Sequence, residues 1–289
     1  MRIAESELIL NPDGSIYHLN LRPEDLAHTV ITVGDPERVE SISKHFDALE
    51  VDVHKREFKT HTGTYKGKRI SVISTGIGTD NIDIVFNELD ALVNIDFETR
   101  TKKENHTQLT IIRVGTSGAI QTNIPIDSFL ISETAVGFDN LLHFYGNTTF
   151  LDESFSEALI QHTNWSPKKS APYVVHADET LLSLFSEESF IRGITATNVG
   201  FYGPQGRILR LPLQDENLND KIASFAHNGK RITNLEMETS GIYGMARLLN
   251  HRAISLNAIL ANRPNERFSE TPKETVDTLI KKTLEIITE

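Results

Sequence analysis

Three short apolar segments of this chain each lead directly into glycine residues. Their length and their β-branched residues are typical of buried strands, and helical periodicity follows the first two. The segments are residues 29–33, 69–73 and 109–114, and the glycines that follow are Gly34, Gly76, Gly78, Gly115 and Gly118. Strands that alternate with helices predict an α/β fold, a three-layer sandwich in which a central mixed β-sheet is flanked by helices. Ligands in such folds bind beyond the carboxyl ends of strands, where these glycines lie.

Arg113 is out of place in the third segment. Residues 109–120 predict a short buried strand that breaks into a glycine-flanked turn after Arg113. A buried guanidinium is costly unless an anion meets it. That anion is either a bound phosphate or an internal Asp or Glu, and the sequence leaves both open. The backbone N–H groups and hydroxyls of Thr116 and Ser117 are suited to binding oxyanions.

A helix start follows the first strand. Asp35 suits the N-cap position and Pro36 the first helical position, and residues 39, 42 and 46 continue an apolar face at helical spacing. Arg38 falls in the first turn, where an acidic residue is normally preferred. Arg38 is therefore either an anion ligand or a solvated helix arginine.

Composition narrows the class of protein. The 289 residues contain no linker rich in Pro, Gly and Ser, so we predict a single domain over residues 1–289. The formal net charge of -11 argues against nucleic acid or an anionic membrane as a partner. The lack of cysteine excludes disulfides, thiolate metal sites and Cys nucleophiles. Without a signal-peptide pattern in residues 1–10 or an apolar run of transmembrane length, we expect a cytoplasmic protein.

Several common catalytic motifs are missing, among them the Walker A loop, the Gly-x-Ser-x-Gly elbow and the His-Glu-x-x-His zinc helix. Four other motifs follow one another along the chain: Gly34-Asp35-Pro36-x-Arg38-Val39, Ser74-Thr75-Gly76-Ile77-Gly78, Arg113-x-Gly115-Thr116-x-Gly118-Ala119 and Glu236-Met237-Glu238. Together they resemble the purine/uridine nucleoside phosphorylase family, and the likeness extends from about His18 to the C-terminal helix. Two further segments are similar to the uridine phosphorylase branch: Phe201-Tyr202-x-x-Gln205-x-Arg207 and Asn262-Arg263.

The resemblance implies a phosphorolysis in which inorganic phosphate attacks the anomeric carbon of a nucleoside. It assigns phosphate binding to Gly34, Arg38, Arg113, Thr116 and, from a neighbouring subunit, Arg56. It assigns ribose binding to Met237, Glu238 and the neighbour's His18. Without the family, Glu238 is equally a capping carboxylate at the next helix start, and His18 an ordinary edge histidine.

The resemblance assigns the base end of the site to Phe201, Gln205, Arg207 and Arg263. The Gln205 amide offers an acceptor and a donor side by side, which matches the N–H and carbonyl edge of uracil. Arg207 would stabilise the charge that builds on the base as the glycosidic bond breaks, while Phe201 stacks on it. Without the family, this turn is a Gly/Pro-rich loop with a solvated arginine.

The strand that ends near Ala261 gives the argument for a pyrimidine. Purine phosphorylases and related nucleosidases usually place an Asp after it, to protonate the imidazole part of a purine. This chain has Asn262-Arg263 there. Uracil lacks that imidazole nitrogen, so stabilisation of charge by an arginine is sufficient.

We therefore predict a pentosyltransferase that converts uridine and phosphate to uracil and ribose 1-phosphate, with Arg113, Glu238 and Arg207 as catalytic residues. The alternatives are a purine phosphorylase or hydrolytic nucleosidase on the same fold, and a nucleoside-binding protein without activity. The resemblance implies phosphate as co-substrate and no required cofactor. It implies a homo-oligomer, in which dimers with shared sites assemble into a hexamer. It also implies a structural K⁺ near Glu57 and Ser74.

Three features depart from the family pattern and bear on substrate preference more than on the reaction. Asp80 follows the second motif, where small residues are usual, and places a carboxylate near the expected phosphate unless it caps the helix. Gly203-Pro204 reverses the usual order, and the polar segment 96–107 is longer than usual.

Overall fold

The computed structural model describes residues 2–289, which contain seven α-helices and fourteen β-strands. The helices are α1 (Pro36–Ser43), α2 (Thr79–Asn94), α3 (Glu153–Thr163), α4 (Glu179–Leu184), α5 (Leu218–Ser224), α6 (Thr239–Leu248) and α7 (Pro272–Thr288). The strands are β1 (Thr29–Val33), β2 (Ala48–Lys55), β3 (Phe58–Tyr65), β4 (Lys68–Ser74), β5 (Ile95–Asp96), β6 (Thr101–Lys102), β7 (Thr110–Ala119), β8 (Phe129–Gly137), β9 (Tyr173–His176), β10 (Phe190–Thr197), β11 (Ala226–His227), β12 (Lys230–Glu236), β13 (Arg252–Asn262) and β14 (Arg267–Phe268).

One mixed sheet joins twelve of the strands found in residues 2–289. Its order is β11-β12-β10-β8-β13-β7-β1-β4-β3-β2, with β9 added beside β8 and β14 beside β13. Strands β4, β1, β7 and β13 run parallel, whereas β8 is antiparallel to β13. Strand β12 also pairs with the end of β7, so that β7, β13, β8, β10 and β12 form a closed ring. This brings the carboxyl ends of β7 and β12 together.

Helices cover both faces of the sheet because side chains alternate along each strand. Val30 of β1 belongs to the core that packs against α2 and α6, whereas its neighbour Ile31 belongs to the core beneath α1 and α7. A third core packs α3 and α5 against β10 and β12. The predicted α/β class with a central mixed sheet flanked by helices is confirmed. The single-domain organisation stays a prediction.

Strand β7 differs from the prediction. It runs without a break from Thr110 to Ala119 and pairs with β13 as far as Asn262, so the turn expected after Arg113 is wrong. Gly115 serves another purpose: a Cβ added to it would lie 2.0 Å from Nη1 of Arg113. The glycine leaves room for the Arg113 side chain to lie back along its own strand.

The start of α1 agrees with the prediction. The Asp35 carboxylate accepts a hydrogen bond from the N–H of Glu37, and Pro36 occupies the first turn. Helix α1 ends at Ser43, so Phe46 lies beyond it, although it still packs against the core.

The long polar segment 96–107 contains a short hairpin in which β6 pairs with β5. His106 then donates from Nε2 to the Leu249 carbonyl, 3.1 Å away. This segment lies outside the lining of the cavity described next. Among the described residues, no helix is long and apolar enough to span a bilayer.

Candidate active site

A cavity of about 750 Å³ opens where the carboxyl ends of β1, β4, β7 and β12 meet. Most of the residues predicted to bind phosphate, ribose and base line it. They are Gly34, Arg38, Arg113, Thr116, Phe201, Gln205, Arg207, Met237 and Glu238. Residues without a predicted role in catalysis also line it, among them Asn81, Glu236, Leu260 and Phe268.

Arg113 lies at the floor of this cavity and is 6% exposed. Its Nη2 is 2.7 Å from Oε2 of Glu238 and 3.1 Å from Oε2 of Glu236, and its Nη1 donates to Oδ1 of Asn257 at 3.0 Å. The sequence predicted that either a bound phosphate or an internal carboxylate meets Arg113. Internal carboxylates are present. The cavity in front of the guanidinium is present as well, so Arg113 is both a partner of internal acids and a cation that faces a binding site.

Burial and charge compete at this cluster. Burial alone lowers the pKa of Arg113, but Glu236 and Glu238 outweigh it, so the pKa of Arg113 lies above its ordinary value. Burial raises the pKa of Glu238, and Arg113 only partly offsets it. The Gly78 N–H donates to Oε1 of Glu238 at 3.0 Å. Glu238, which follows β12, is therefore bound both to Arg113 and to the second glycine motif.

Arg38 is the second cation of the cavity. It is half-buried, and burial together with the charge of Arg113 lowers its pKa. The only hydrogen bond that its guanidinium makes within residues 2–289 is a 3.4 Å contact from Nη1 to the Val114 carbonyl, and it forms no ion pair with any residue in that range. Arg38 therefore offers an unneutralised guanidinium to an anionic ligand.

Gln205, Arg207 and Phe201 form a compact group on the loop after β10. Gln205 is 3% exposed, and its Oε1 accepts a hydrogen bond from Nη1 of Arg207 at 2.7 Å. Arg207 lies over the Phe201 ring, 3.7 Å from its centre. Burial, followed by the charge of Arg263, lowers the pKa of Arg207. Because Arg207 occupies one lone pair of the Gln205 oxygen, the amide presents its NH₂ group and one remaining acceptor site.

Residues 28–289 match the family model described as the phosphorylase superfamily. The chain belongs to the phosphorylase superfamily. It is 33% identical to the uridine phosphorylase of Thermococcus kodakarensis over 288 residues, which cover 96% of this chain and 88% of that protein. It is 26% identical to a DeoD-type purine nucleoside phosphorylase of Brevibacillus brevis over 83% of each chain.

A solved structure is also similar. The nucleoside phosphorylase of Trypanosoma brucei, described as showing uridine phosphorylase activity, aligns with a TM-score of 0.84 at 28% identity over 98% of both chains. The named relatives are uridine and purine nucleoside phosphorylases, both pentosyltransferases, so the predicted family and enzyme class are confirmed. These relatives include enzymes for both uridine and purine nucleosides, so they do not determine which base this chain accepts.

Two other residues of the phosphorylase lie behind the base loop. Arg263 donates from Nη1 to the Gln205 carbonyl and from Nη2 to the Gly206 carbonyl, so it supports the loop from outside the cavity lining. Asn262 donates to the carbonyls of Gln121 and Ile124, at 2.9 and 2.7 Å. Its side chain is therefore bound to backbone. The base-binding role of Arg263 stays a prediction.

His18 and Arg56 lie outside the cavity lining of their own chain. Both lie beside the ring of Tyr17. The centres of the Tyr17 and His18 rings are 4.7 Å apart in an edge-on arrangement, and the Arg56 guanidinium lies 5.7 Å from the centre of the Tyr17 ring. Arg56 is exposed and has a positive φ of 56° at the tip of the β2–β3 hairpin. The next residue, Glu57, does line the cavity.

The residues expected to hold K⁺ are in contact. The Ser74 hydroxyl donates to the Glu57 carbonyl at 2.6 Å and accepts the N–H of Lys59 at 2.7 Å. One lone pair of the Ser74 oxygen remains, so the pair fits a weakly bound monovalent cation, which stays a prediction. Asp80 is exposed in the first turn of α2, makes no cap hydrogen bond and lies outside the cavity lining.

Sequence reasoning missed the residues that hold the charged cluster in place. Glu236 is 4% exposed and accepts hydrogen bonds from the Thr197 hydroxyl at 2.6 Å and from the N–H of Thr239 at 2.9 Å. Glu236, and not the side chain of Glu238, therefore satisfies the first turn of α6. Polar Ser255 and Asn257 within an apolar strand were a usable signal, since both are fully buried and face Arg113.

Asp90, His106 and His251 offer ligand atoms that all lie within 4.8 Å of one another, away from the cavity. Nδ1 of His251 accepts the N–H of Leu109 at 3.1 Å. The neutral ring must then carry its proton on Nε2, which faces Oδ1 of Asp90 at 3.3 Å. That nitrogen has no lone pair for a metal, so the geometry favours a His–Asp pair.

Proposed function

We propose that this phosphorylase cleaves uridine with inorganic phosphate to give uracil and ribose 1-phosphate. A phosphate oxygen attacks the anomeric carbon while the glycosidic bond breaks and its electron pair moves onto the base. The observation that carries the proposal is a single cavity lined by cations, by a carboxylate beside a methionine, and by a glutamine–arginine pair. These three chemistries match a phosphate, a sugar and a uracil edge.

The phosphate end would be formed by Arg38, Arg113, Thr116 and Gly34. Guanidinium groups suit phosphate because two N–H groups meet two oxygens in one plane. Arg38 is free to take this role, since it has no carboxylate partner among the described residues. Arg113 would share its guanidinium between Glu238 and the phosphate. It thereby ties the position of the nucleophile to the group that holds the sugar.

The ribose end would be formed by Glu238 and Met237. Oxygens of Glu238 accept from Arg113 and Gly78, and their remaining lone pairs are suited to the 2′- and 3′-hydroxyls. Met237 would pack on the sugar. The positive charge that develops on the ribose ring would be stabilised by Glu238 and by the attacking phosphate.

The base end supports a pyrimidine. Gln205 keeps one NH₂ group and one acceptor site, which pair with a carbonyl and an N–H of uracil. Arg207 adds a cation for the charge that the leaving base acquires. Asn262, at the position where purine enzymes usually have an acid, is bound to backbone carbonyls and supplies no proton.

The charges along the cavity support a shared site. Its lining contains three arginines, Arg38, Arg113 and Arg207, and four carboxylates, Asp35, Glu57, Glu236 and Glu238, so these residues alone give a phosphate dianion no net attraction. A further cation from a neighbouring copy, Arg56, would supply the missing attraction.

The hairpin that carries Arg56 has the position that a shared site requires. Its next residue, Glu57, lines the cavity of its own chain. In a two-fold dimer every contact is reciprocal, so hairpins that meet beside the cavities would each place Arg56 by the partner's site. Exposed Ile77, Phe201 and Phe268 on the cavity lining add an apolar rim for such a partner. We extend the proposal to a hexamer built from these dimers.

The test is release of base from uridine, inosine and methylthioadenosine, each with and without phosphate. We expect uracil release that requires phosphate and yields ribose 1-phosphate. Faster release from a purine nucleoside would overturn the pyrimidine assignment, and release without phosphate would identify a nucleosidase. Binding of uridine without turnover at any enzyme concentration would identify a non-catalytic protein.

A further inference from the structure

Glu88 of α2 binds the segment around His18 through both of its carboxylate oxygens. Its Oε1 lies 2.6 Å from Nδ1 of His18, and its two oxygens accept the backbone N–H of His18 at 3.0 and 3.1 Å. Oε2 also accepts the N–H of Leu19 at 2.8 Å. The Glu88 side chain is 12% exposed and makes no ion pair with Lys or Arg among the described residues. All the hydrogen bonds that the Glu88 carboxylate makes with described residues are therefore to the segment that contains His18 and Leu19.

These contacts fix the histidine ring as well as the chain that carries it. A carboxylate only accepts hydrogen bonds, so Nδ1 of His18 must carry a proton. The neutral ring then presents the lone pair of Nε2 on its far side. The His18 ring packs edge-to-face with Tyr17 and Phe58, with ring centres 4.7 and 6.4 Å apart, and these rings restrict its orientation. His18 is thus a histidine with one defined acceptor atom and little freedom to turn.

The location of His18 determines what that acceptor can meet. The ring lies beside Tyr17 together with Arg56, outside its own cavity, on the surface that the proposed dimer turns toward the partner's site. In the proposed binding mode the 2′- and 3′-hydroxyls face Glu238, and the anomeric carbon faces phosphate. The 5′-hydroxyl is the polar group of the ribose that remains without a partner.

We propose that Glu88 is a positioning residue for His18, which the family resemblance already assigns to the neighbour's ribose: Glu88 fixes the Nδ1 proton and the ring so that Nε2 is directed at the nucleoside 5′-hydroxyl in the partner subunit's site. This inference rests on the proposed function and adds a residue that touches no substrate. With this role, α2 contributes to two active sites. Gly78, at its start, binds Glu238 of its own site, and Glu88, in its third turn, binds the His18 that would enter the partner's site.

The test compares uridine with 5′-deoxyuridine in the wild type, Glu88→Gln, His18→Asn and the double variant. If wild type cleaves another nucleoside faster, that nucleoside and its 5′-deoxy analogue replace the pair. We expect wild type to prefer the 5′-hydroxyl by about 10-fold in kcat/KM, the effect of one well-placed hydrogen bond. Glu88→Gln and His18→Asn should each reduce this preference to about 1–3-fold, because the hydrogen bond to the 5′-hydroxyl is misdirected in the first variant and lost in the second. The double variant should be no worse than His18→Asn, because Glu88 acts through His18.

Asp83→Asn is the matched control, since it removes a carboxylate of the same helix that bonds Tyr145 and not His18. It should keep the full preference. Glu88→Asp, which keeps the charge but is too short to reach Nδ1 and both N–H groups together, replaces Glu88→Gln if that variant does not fold.

Two results would overturn the inference in distinguishable ways. Equal losses on uridine and 5′-deoxyuridine in Glu88→Gln, with His18→Asn selective, would leave Glu88 as a support of the chain only. No 5′-hydroxyl preference in wild type and no effect of His18→Asn would remove the cross-subunit role of His18, and that of Glu88 with it. Neither result affects the phosphate-dependence assay that tests the proposed function.

Discussion

At the scale of single residues, Arg113 meets two demands. Its burial requires counter-charges, which Glu236 and Glu238 supply, and the cavity in front of it leaves room for a further anion. Gly115 makes the arrangement sterically possible, because any side chain there would occupy the space of the guanidinium. The residue is therefore structural and functional at once, and variants must be chosen to separate the two roles.

Arg113→Ala should lower kcat/KM for phosphate by about 30- to 1000-fold, equivalent to about 2–4 kcal/mol of transition-state stabilisation. It should also cost about 3–5 kcal/mol of folding stability, because two buried carboxylates lose their counter-ion. Steady-state kinetics and urea unfolding measure the two effects. Arg38→Ala is the control: it should weaken phosphate binding with little change in stability, since Arg38 forms no ion pair with a described residue. Phosphate dependence that survives Arg113→Ala would contradict the assignment of β7.

Gln205→Ala should lower kcat/KM for uridine by about 10-fold or more, and should affect any activity on inosine far less. The amide that would pair with the uracil edge is removed, and Arg207 loses the acceptor that orients it. Parallel assays on the two nucleosides give the ratio. Equal losses on both would contradict the role of Gln205 in recognising the base.

At the scale of secondary-structure elements, the cavity depends on how helices begin. The first turn of α1 carries Arg38, and the first turn of α6 follows Glu238. Each start is held by a carboxylate that lies just before it: Asp35 bonds the N–H of Glu37, and Glu236 bonds the N–H of Thr239. The caps therefore fix helix ends and functional side chains together.

Asp35→Ala should destabilise the protein by about 1 kcal/mol in urea unfolding, the usual cost of losing an N-cap side chain. Asp35→Ser keeps a capping oxygen without the charge and should retain most of that stability. Equal destabilisation by both substitutions would show that the charge of Asp35, and not its cap, stabilises α1.

At the scale of the whole molecule, the proposed enzyme is complete only as a dimer. His18 and Arg56, distant in sequence, meet at Tyr17 on a surface outside their own cavity. The exposed apolar side chains Ile77, Phe201 and Phe268 lie on the rim of that cavity. A partner that covers this rim would exclude water from the reaction as well as supply two side chains.

Co-expression of Arg38→Ala and Arg56→Ala chains tests the shared site. Each variant alone should be nearly inactive, but a mixed dimer has one site with both arginines intact. Random pairing then restores about a quarter of the wild-type sites. Activity in the mixture that equals the average of the two variants would show that Arg56 acts in its own chain or not at all.

The sequence by itself determined the class of fold, because strand composition, helix spacing and glycine positions are local signals, and its resemblance to a known family pointed to most of the residues that line the cavity. It located Asp35, Pro36 and the apolar face of α2, and it identified Arg113 as a residue that needs an anion. It did not determine which anion. Only the tertiary structure decided that, because Glu236 on β12, Glu238 just after it and Asn257 on β13 are more than 100 residues away from Arg113 in the chain and reach it only when the sheet is assembled. The same reason explains the unbroken β7: pairing with β13 on one side and β12 on the other outweighed the preference of its glycines for a turn.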